Sequence, residues 1–263
     1  MKERNKDFYF TTSWDDGSVN DLKLSKLLGE LGVKGTFYIP KDFIDENVKR
    51  SFYGRRLSAE EIKTISLTQD IGAHSLSHGD LTRLSDAELQ KEILGSREFL
   101  EEIIGKKIEL FSFPYGKFDG RVVSALKAAG YIGARTTQTL NFKIPEKTFI
   151  FGPSISCASF PFNKINAQKN NKRLFEQIKN YGGKLFSLPL LIRHMYSWQP
   201  FARSSLKHAL KRGNYFHLCG HSWELERYGL WKELKSFLEF AVSQKGIKFI
   251  TNSEMARLVN NEK

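Results

Sequence analysis

The chain has 263 residues, of which 40% are hydrophobic and 27% charged, and its formal net charge is +12. That length and balance suit one large soluble domain with a full core, and two cysteines, Cys157 and Cys219, are too few for a disulfide framework or a clustered thiolate metal site. The charged stretch Met1–Asp7 has no apolar signal core and no run reaches membrane-spanning length, so a cytoplasmic setting, at most membrane-peripheral, is expected.

In chain order, Phe8 to Trp14 alternates as a strand and Val19 to Leu31 follows as a helix. Leu24, Leu27, Leu28 and Leu31 share one face of that helix, and Gly32 stops it. Lys34 to Ile39 reads as a second strand, closed by Pro40, which makes a strand–helix–strand unit and hence a parallel pair. Ser58 with Glu61, and Ser85 with Glu88, have the spacing of capping boxes that open helices, the second running to about Ile104 before Gly105. Further strands are expected at Asp70–Ala73, Ile108–Phe113, Tyr131–Ala134, Ile150–Cys157, Asn214–Leu218 and Ile247–Ile250. Further helices are expected at Arg121–Ala129, Lys164–Tyr181, Ala202–Arg212, Leu230–Gln244 and Ser253–Val259. Alternating strands and helices predict a parallel sheet covered by helices. Because polar clusters follow several strands, a barrel with its site on the C-terminal rim is favoured over an open sheet, in one domain spanning 1–263.

The charge is concentrated in one region. Between Lys164 and Arg212 there are 11 cations against the single anion Glu176, so +10 of the +12 falls in what reads as a basic helical insertion at about 164–212. Such a block suits an anionic partner or a solvated basic face. Within it, Leu185–Ile192 is apolar enough to meet a membrane interface or to pack as core.

Four polar clusters sit at strand ends. The first is Ser13-Trp14-Asp15-Asp16-Gly17, two adjacent carboxylates that need a solvated turn, a cation or a proton-transfer task to be tolerated. The second, His74-Ser75-Leu76-Ser77-His78, puts two imidazoles four residues apart, able to converge if the loop winds through a helical turn. With one Asp they form a two-His, one-carboxylate set that leaves positions open on a divalent cation. The third is Ser112-Phe113-Pro114-Tyr115-Gly116, a turn, and the fourth is Leu218-Cys219-Gly220-His221 followed by Trp223 and Glu224. His217, on the strand itself, reads as a packing histidine.

Together, in this order, the clusters resemble the polysaccharide deacetylase family, carbohydrate esterases with a NodB-homology domain. Ser-Trp-Asp-Asp-Gly is similar to that family's Thr-Phe-Asp-Asp-Gly, His74 to His78 to its His-x-x-x-His, Ser112 to Gly116 to its Arg-x-Pro-Tyr-Gly, and Leu218 to His221 to its Leu-x-x-His. The resemblance implies a distorted (β/α) barrel with fewer than eight regular strands and one divalent metal, Zn2+ first, with Co2+, Ni2+ or Mn2+ as alternatives. It implies Asp15 as general base, Asp16, His74 and His78 as metal ligands, Tyr115 as a backbone donor to the oxyanion and His221 as the acid that protonates the leaving amine. Pro114 would belong to the substrate-binding turn.

The chain departs from the pattern at two places. Ser112 stands where the family has an arginine that pairs with the base, and Arg135, one strand further on, is the candidate replacement. The family's Asp-x-x-Asp-Trp is missing, which leaves Glu224 or Glu226 to orient His221 and Trp223 to wall the acetyl pocket. The expected activity is removal of N-acetyl groups from an amino-sugar glycan or precursor, with the substrate lipid- or nucleotide-linked and an anionic membrane surface as a peripheral contact. The alternatives are a carbohydrate-binding pseudoenzyme and a hydrolase of small amides or imides. Nucleic-acid binding has only the charge in its favour.

Overall fold

The structure, a computed structural model, describes residues 7–43, 54–157 and 198–261. The helix expected at Lys164–Tyr181, the apolar stretch Leu185–Ile192 and most of the basic insertion lie outside the described residues.

The described strands are β1 (Phe8–Asp15), β2 (Thr36–Ile39), β3 (Asp70–Ala73), β4 (Leu110–Ser112), β5 (Gly133–Arg135), β6 (Ile155–Cys157), β7 (Tyr215–Gly220) and β8 (Ile247–Phe249). The helices are α1 (Asn20–Glu30), α2 (Ala59–Ser66), α3 (Asp86–Ile104), α4 (Gly120–Ala128), α5 (Trp198–Arg212), α6 (Ser222–Arg227), α7 (Trp231–Val242) and α8 (Asn252–Asn261). All strand pairs are parallel, in the order β5-β4-β3-β2-β1-β7-β6. The eighth strand lies off this path. It pairs with the start of β1 at Phe8–Phe10, below the point where β2 joins at Ser13–Asp15.

The sheet curls without closing by strand pairing. The gap between β5 and β6 is crossed instead by the segment after Thr148. The Thr148 carbonyl accepts from the Ala134 amide (2.7 Å), Phe151 bridges Arg135, and the Ser154 amide donates to His217 O (2.8 Å). The parallel sheet is what the alternation predicts, and its open curl is the distorted barrel that the resemblance implies.

Helix ends follow their chemistry. Ser58–Glu61 and Ser85–Glu88 are both reciprocal capping boxes, and Gly105 ends α3 in the left-handed conformation (φ +64°). The strand expected over Ile150–Cys157 is shorter because its first half leaves the sheet edge to bridge the gap. The turn at Ser222–Arg227 was not expected, being too short to show a period.

Successive side chains of β1 point to opposite faces. Phe10 and Trp14 join the apolar layer under the helices, where Phe10 stacks on Phe216 (5.2 Å) and meets Phe237 of α7 (6.3 Å). Thr11, Ser13 and Asp15 instead enter a polar lumen. His217 contacts Ser13 Oγ through Nε2 (2.7 Å) and Tyr215 OH through Nδ1 (2.9 Å), and Tyr215 in turn contacts Thr11 (3.2 Å). Burial pushes the His217 pKa well below its ordinary value, with the Arg135 charge adding to that direction. His217 is a packing histidine, as read.

At the N-terminal end of the strands, the first turn of α8 plugs the lumen. The Asn252 amide donates to Thr36 Oγ1 (3.0 Å), its side chain donates to Tyr38 OH (3.1 Å), and Ser253 donates to Asp70 (2.7 Å). Gly72 is required opposite Tyr38, because a Cβ there would lie 2.4 Å from the ring. No helix among the described residues is long and apolar enough to cross a membrane.

Candidate functional site

At the C-terminal rim the chain separates its two adjacent carboxylates. Asp15 is the last residue of β1 and faces the lumen. Asp16 starts the turn in the left-handed region (φ 79°), with its amide on Tyr38 O (3.1 Å) and its carbonyl accepting from Arg56 Nη1 (2.6 Å). A reversal of that kind in a non-glycine residue is strained and held only by such surroundings. It sends the two side chains to different partners.

Asp15 meets Arg135. The guanidinium donates through Nη2 to Asp15 Oδ2 and to Ser112 Oγ (2.7 Å), and it lies 5.4 Å from the Tyr38 ring centre. Ser112 and Arg135 are direct neighbours across the β4–β5 pair, so an arginine on either strand end can reach the same carboxylate. Burial raises the Asp15 pKa, but the Arg135 charge, helped by His74 and His221, outweighs it and holds Asp15 at about 2. The carboxylate is therefore ionised throughout the neutral range.

Asp16 meets the histidines. Its Oδ1 lies 3.5 Å from His78 Nε2 and 3.9 Å from His74 Nε2, and the two Nε2 atoms are 3.1 Å apart. His74 Nδ1 sits 2.7 Å from the Ser112 carbonyl, which can only accept, so the ring proton is on Nδ1 and Nε2 carries a lone pair. Burial lowers both imidazole pKa values, that of His78 to about 4, and keeps the rings neutral as ligands must be. Asp16 Oδ1 is buried with no hydrogen-bond partner. Three donor atoms from Asp16, His74 and His78 fall within 4.8 Å of one another. This donor set fits a divalent cation.

The loop between the histidines is not the helical turn that the spacing suggested. Ser75 (φ 64°) and His78 (φ 56°) are left-handed and fold it back, the His78 amide rests on Ser75 Oγ (2.9 Å), and Glu92 of α3 accepts from the Leu76 and Ser77 amides (2.9 and 3.0 Å). Glu92 and Arg56 were missed, since a mid-helix glutamate and a loop arginine look like solvated charge in a sequence.

Tyr115 sits left-handed (φ 57°) in the turn after β4, 66% exposed, its ring edge-on to His78 (4.8 Å). Pro114 is buried beneath that turn. His221 caps the end of β7 and places Nδ1 3.1 Å from Glu224 Oε2 and Nε2 3.8 Å from Asp16 Oδ2. Burial opposes its protonation, yet the Glu224 hydrogen bond and the Asp16, Glu224 and Asp15 charges raise it to about 10 in the cation-free site. Of the two expected orienters it is Glu224 that contacts His221. Glu226 accepts from Trp231 instead (2.7 Å). Trp223, 7% exposed, donates its indole N–H to Asp16 Oδ2 (3.1 Å), its rings tilted against His221 at 5.4 Å.

A model of the polysaccharide deacetylase family matches residues 2–134, half of the chain. The chain belongs to the polysaccharide deacetylase family. Among curated proteins it is 24% identical over 140 residues to the uncharacterized protein YlxY of Bacillus subtilis (strain 168), covering 52% of this chain and 40% of that one. It thus spans about two fifths of the length of that relative. Among solved structures, a putative polysaccharide deacetylase from Mycobacterium smegmatis superposes with a TM-score of 0.68 at 14% identity, covering 100% of this chain and 93% of that one. A family 4 acetyl xylan esterase from Clostridium thermocellum, in complex with a cobalt ion, gives 0.56 at 14% identity, covering 95% and 91%. At such identities these deacetylase-family likenesses speak for the fold.

Proposed function

We propose that this chain hydrolyses the N-acetyl amide of an amino sugar in a glycan or glycan precursor, using one divalent cation held by Asp16, His74 and His78. The observation that carries this reading is the convergence of the three donor atoms, with Asp16 Oδ1 buried and unpartnered, between the Arg135-bound Asp15 and the Glu224-bound His221. Bound there, a divalent cation, Zn2+ first, would polarise the amide carbonyl and acidify water. Asp15 accepts the water proton. Held as low as about 2, it takes a proton only from a strongly acidified donor, and Arg135 fixes which oxygen is free to do so. His221, protonated and aimed by Glu224, gives its proton to the amine nitrogen as the carbon–nitrogen bond breaks. The Tyr115 ring borders the same space, edge-on to His78, and the Tyr115 backbone N–H would meet the developing oxyanion.

The cationic stretch supports a sugar on an anionic carrier, lipid-linked or nucleotide-linked; its described part presents Lys207, Lys211 and Arg212 as exposed cations on α5. The pseudoenzyme reading took its force from the missing motif arginine, and Arg135 on Asp15 weakens it. The test is acetate release from N-acetylated polymer, lipid-linked and nucleotide-linked sugars after reconstitution with Zn2+ or Co2+. Asp16→Ala or His74→Ala should abolish metal retention, whereas Asp15→Asn should keep the metal and lose turnover. His221→Ala should fold and react at least a hundred-fold more slowly, within the range general acids contribute. Metal bound with no acetate from any of the three substrate classes would overturn the reading.

A further inference from the structure

The short helix α6 carries three side chains into the site within four residues, and the mechanism above uses only two of them. His221 is the acid and Glu224 orients it. Trp223 was expected to wall an acetyl pocket, yet its one polar atom points elsewhere. The indole Nε1–H donates to Asp16 Oδ2 at 3.1 Å. Asp16 Oδ1, the other oxygen, faces both histidines and has no hydrogen-bond partner.

A free carboxylate turns about its Cβ–Cγ bond and can offer one oxygen or both to a cation. Here that rotation is blocked from two sides. The left-handed backbone of Asp16 is tied to Tyr38 and Arg56, and the indole proton occupies Oδ2. Trp223 is itself 7% exposed, so the donor is held by packing as well as by sequence position. Indole is also a donor that never ionises and never accepts. It therefore selects the same oxygen at every pH at which the protein is folded.

We infer that Trp223 is a positioning residue for the cation site: its indole N–H holds Asp16 Oδ2 so that the carboxylate presents Oδ1 alone beside His74 and His78. This rests on the proposed assignment of Asp16, His74 and His78 as ligands. Partners that fix a ligating group are worth a further factor of about 10–100 in metal affinity. A residue that merely walls a pocket is worth none.

The experiment is Zn2+ binding to metal-free protein by titration calorimetry, repeated with Co2+ to record the visible absorption spectrum. Trp223→Phe keeps an aromatic wall and deletes only the donor; Trp223→Ala deletes both. The expected result is that the wild type binds one ion and that both variants bind Zn2+ about 10–100-fold more weakly, with unchanged circular dichroism. The Co2+ bands should also change in Trp223→Phe as Asp16 becomes free to offer both oxygens. If Trp223→Phe binds both metals as the wild type does, with the same spectrum, the inference is overturned while the ligand set stands. If the wild type itself binds no ion, or Asp16→Ala binds as well as the wild type, the ligand assignment fails and the inference with it. If Trp223→Phe is misfolded, Trp223→Gln serves, since its side-chain amide can still donate and adds no imidazole to the site. Near-native affinity there supports the hydrogen bond, and a loss equal to that of Trp223→Ala counts against it.

Discussion

Replacing Arg135 by methionine removes the charge beside Asp15 while keeping a long side chain in the lumen. Asp15 lies at about 2 against an ordinary 3.8, although its burial pushes the other way. That net lowering corresponds to about 2 kcal/mol in favour of the ionised form, and Arg135 is the largest of the influences that produce it. Without the guanidinium, burial acts against only the two imidazoles and a charge is left unpaired inside the barrel. Breaking a buried pair from one side typically costs about 3–5 kcal/mol.

The sign with pH follows from the direction of the lowering. In the wild type the Asp15 contribution is complete above the ordinary carboxylate range and is lost as pH falls through about 2. In Arg135→Met the carboxyl lies above its ordinary value, so destabilisation is greatest at neutral pH and eases on acidification. Urea unfolding at pH 7 and at pH 4.5 measures both arms. A loss under about 1 kcal/mol at pH 7, far below the expected range, or a loss of equal size at both pH values, would refute the argument. Moving the charge supplies the positive control. Ser112→Arg combined with Arg135→Ser puts a guanidinium on the adjacent strand end and should recover most of the stability and turnover that Arg135→Ser loses.

Two other groups give pH-dependent tests. Asp21 of α1 is fully buried near Ser222, with neither carboxyl oxygen in a hydrogen bond of ordinary geometry, and burial pushes it to about 8. A raised acid leaves the native state at full strength below about pH 4 and weakens it progressively up to about pH 8, on the order of 4 kcal/mol by pH 7. Asp21→Asn should therefore gain stability over the wild type at pH 8 and little at pH 4, and equal differences at the two values would exclude a buried neutral carboxyl. In metal-free protein, Glu224→Gln should drop the His221 imidazole from about 10 towards its ordinary value, followed by NMR titration. An unchanged titration would remove Glu224 as its orienter.

The parts of the site that could be read in the sequence are those where a polar residue interrupts an apolar strand. Asp15, Asp16, His74, Tyr115 and His221 each follow such a run, and parallel strands bring their ends to one rim. Arg135 was legible for the same reason, an arginine ending a buried strand beside Ser112, which stands where the motif has its arginine. The supports were harder to see. Glu92 lies mid-helix among other charges, and only the folded chain shows that it accepts from the amides of the histidine loop. His221, Trp223 and Glu224 read as one cluster, but helix α6 is too short to have a period, and only the folded chain shows the Trp223 indole turned onto Asp16. Periodicity likewise cannot tell that Phe10 faces helices while Thr11 faces a polar lumen, because both are fully buried.

Asp16, Ser75, His78 and Tyr115 all hold left-handed backbone without being glycine. Each such residue costs about 1–3 kcal/mol that the remaining fold must offset. The consequence concerns drift under relaxed demand. At Asp16 and His78 a change to glycine would ease folding while deleting a proposed metal ligand, so stability and the proposed chemistry pull in opposite directions at the same codons. A chain of this kind that stopped being needed as a catalyst would find its shortest routes to a more stable barrel through its own active site, and the scaffold would outlast the chemistry.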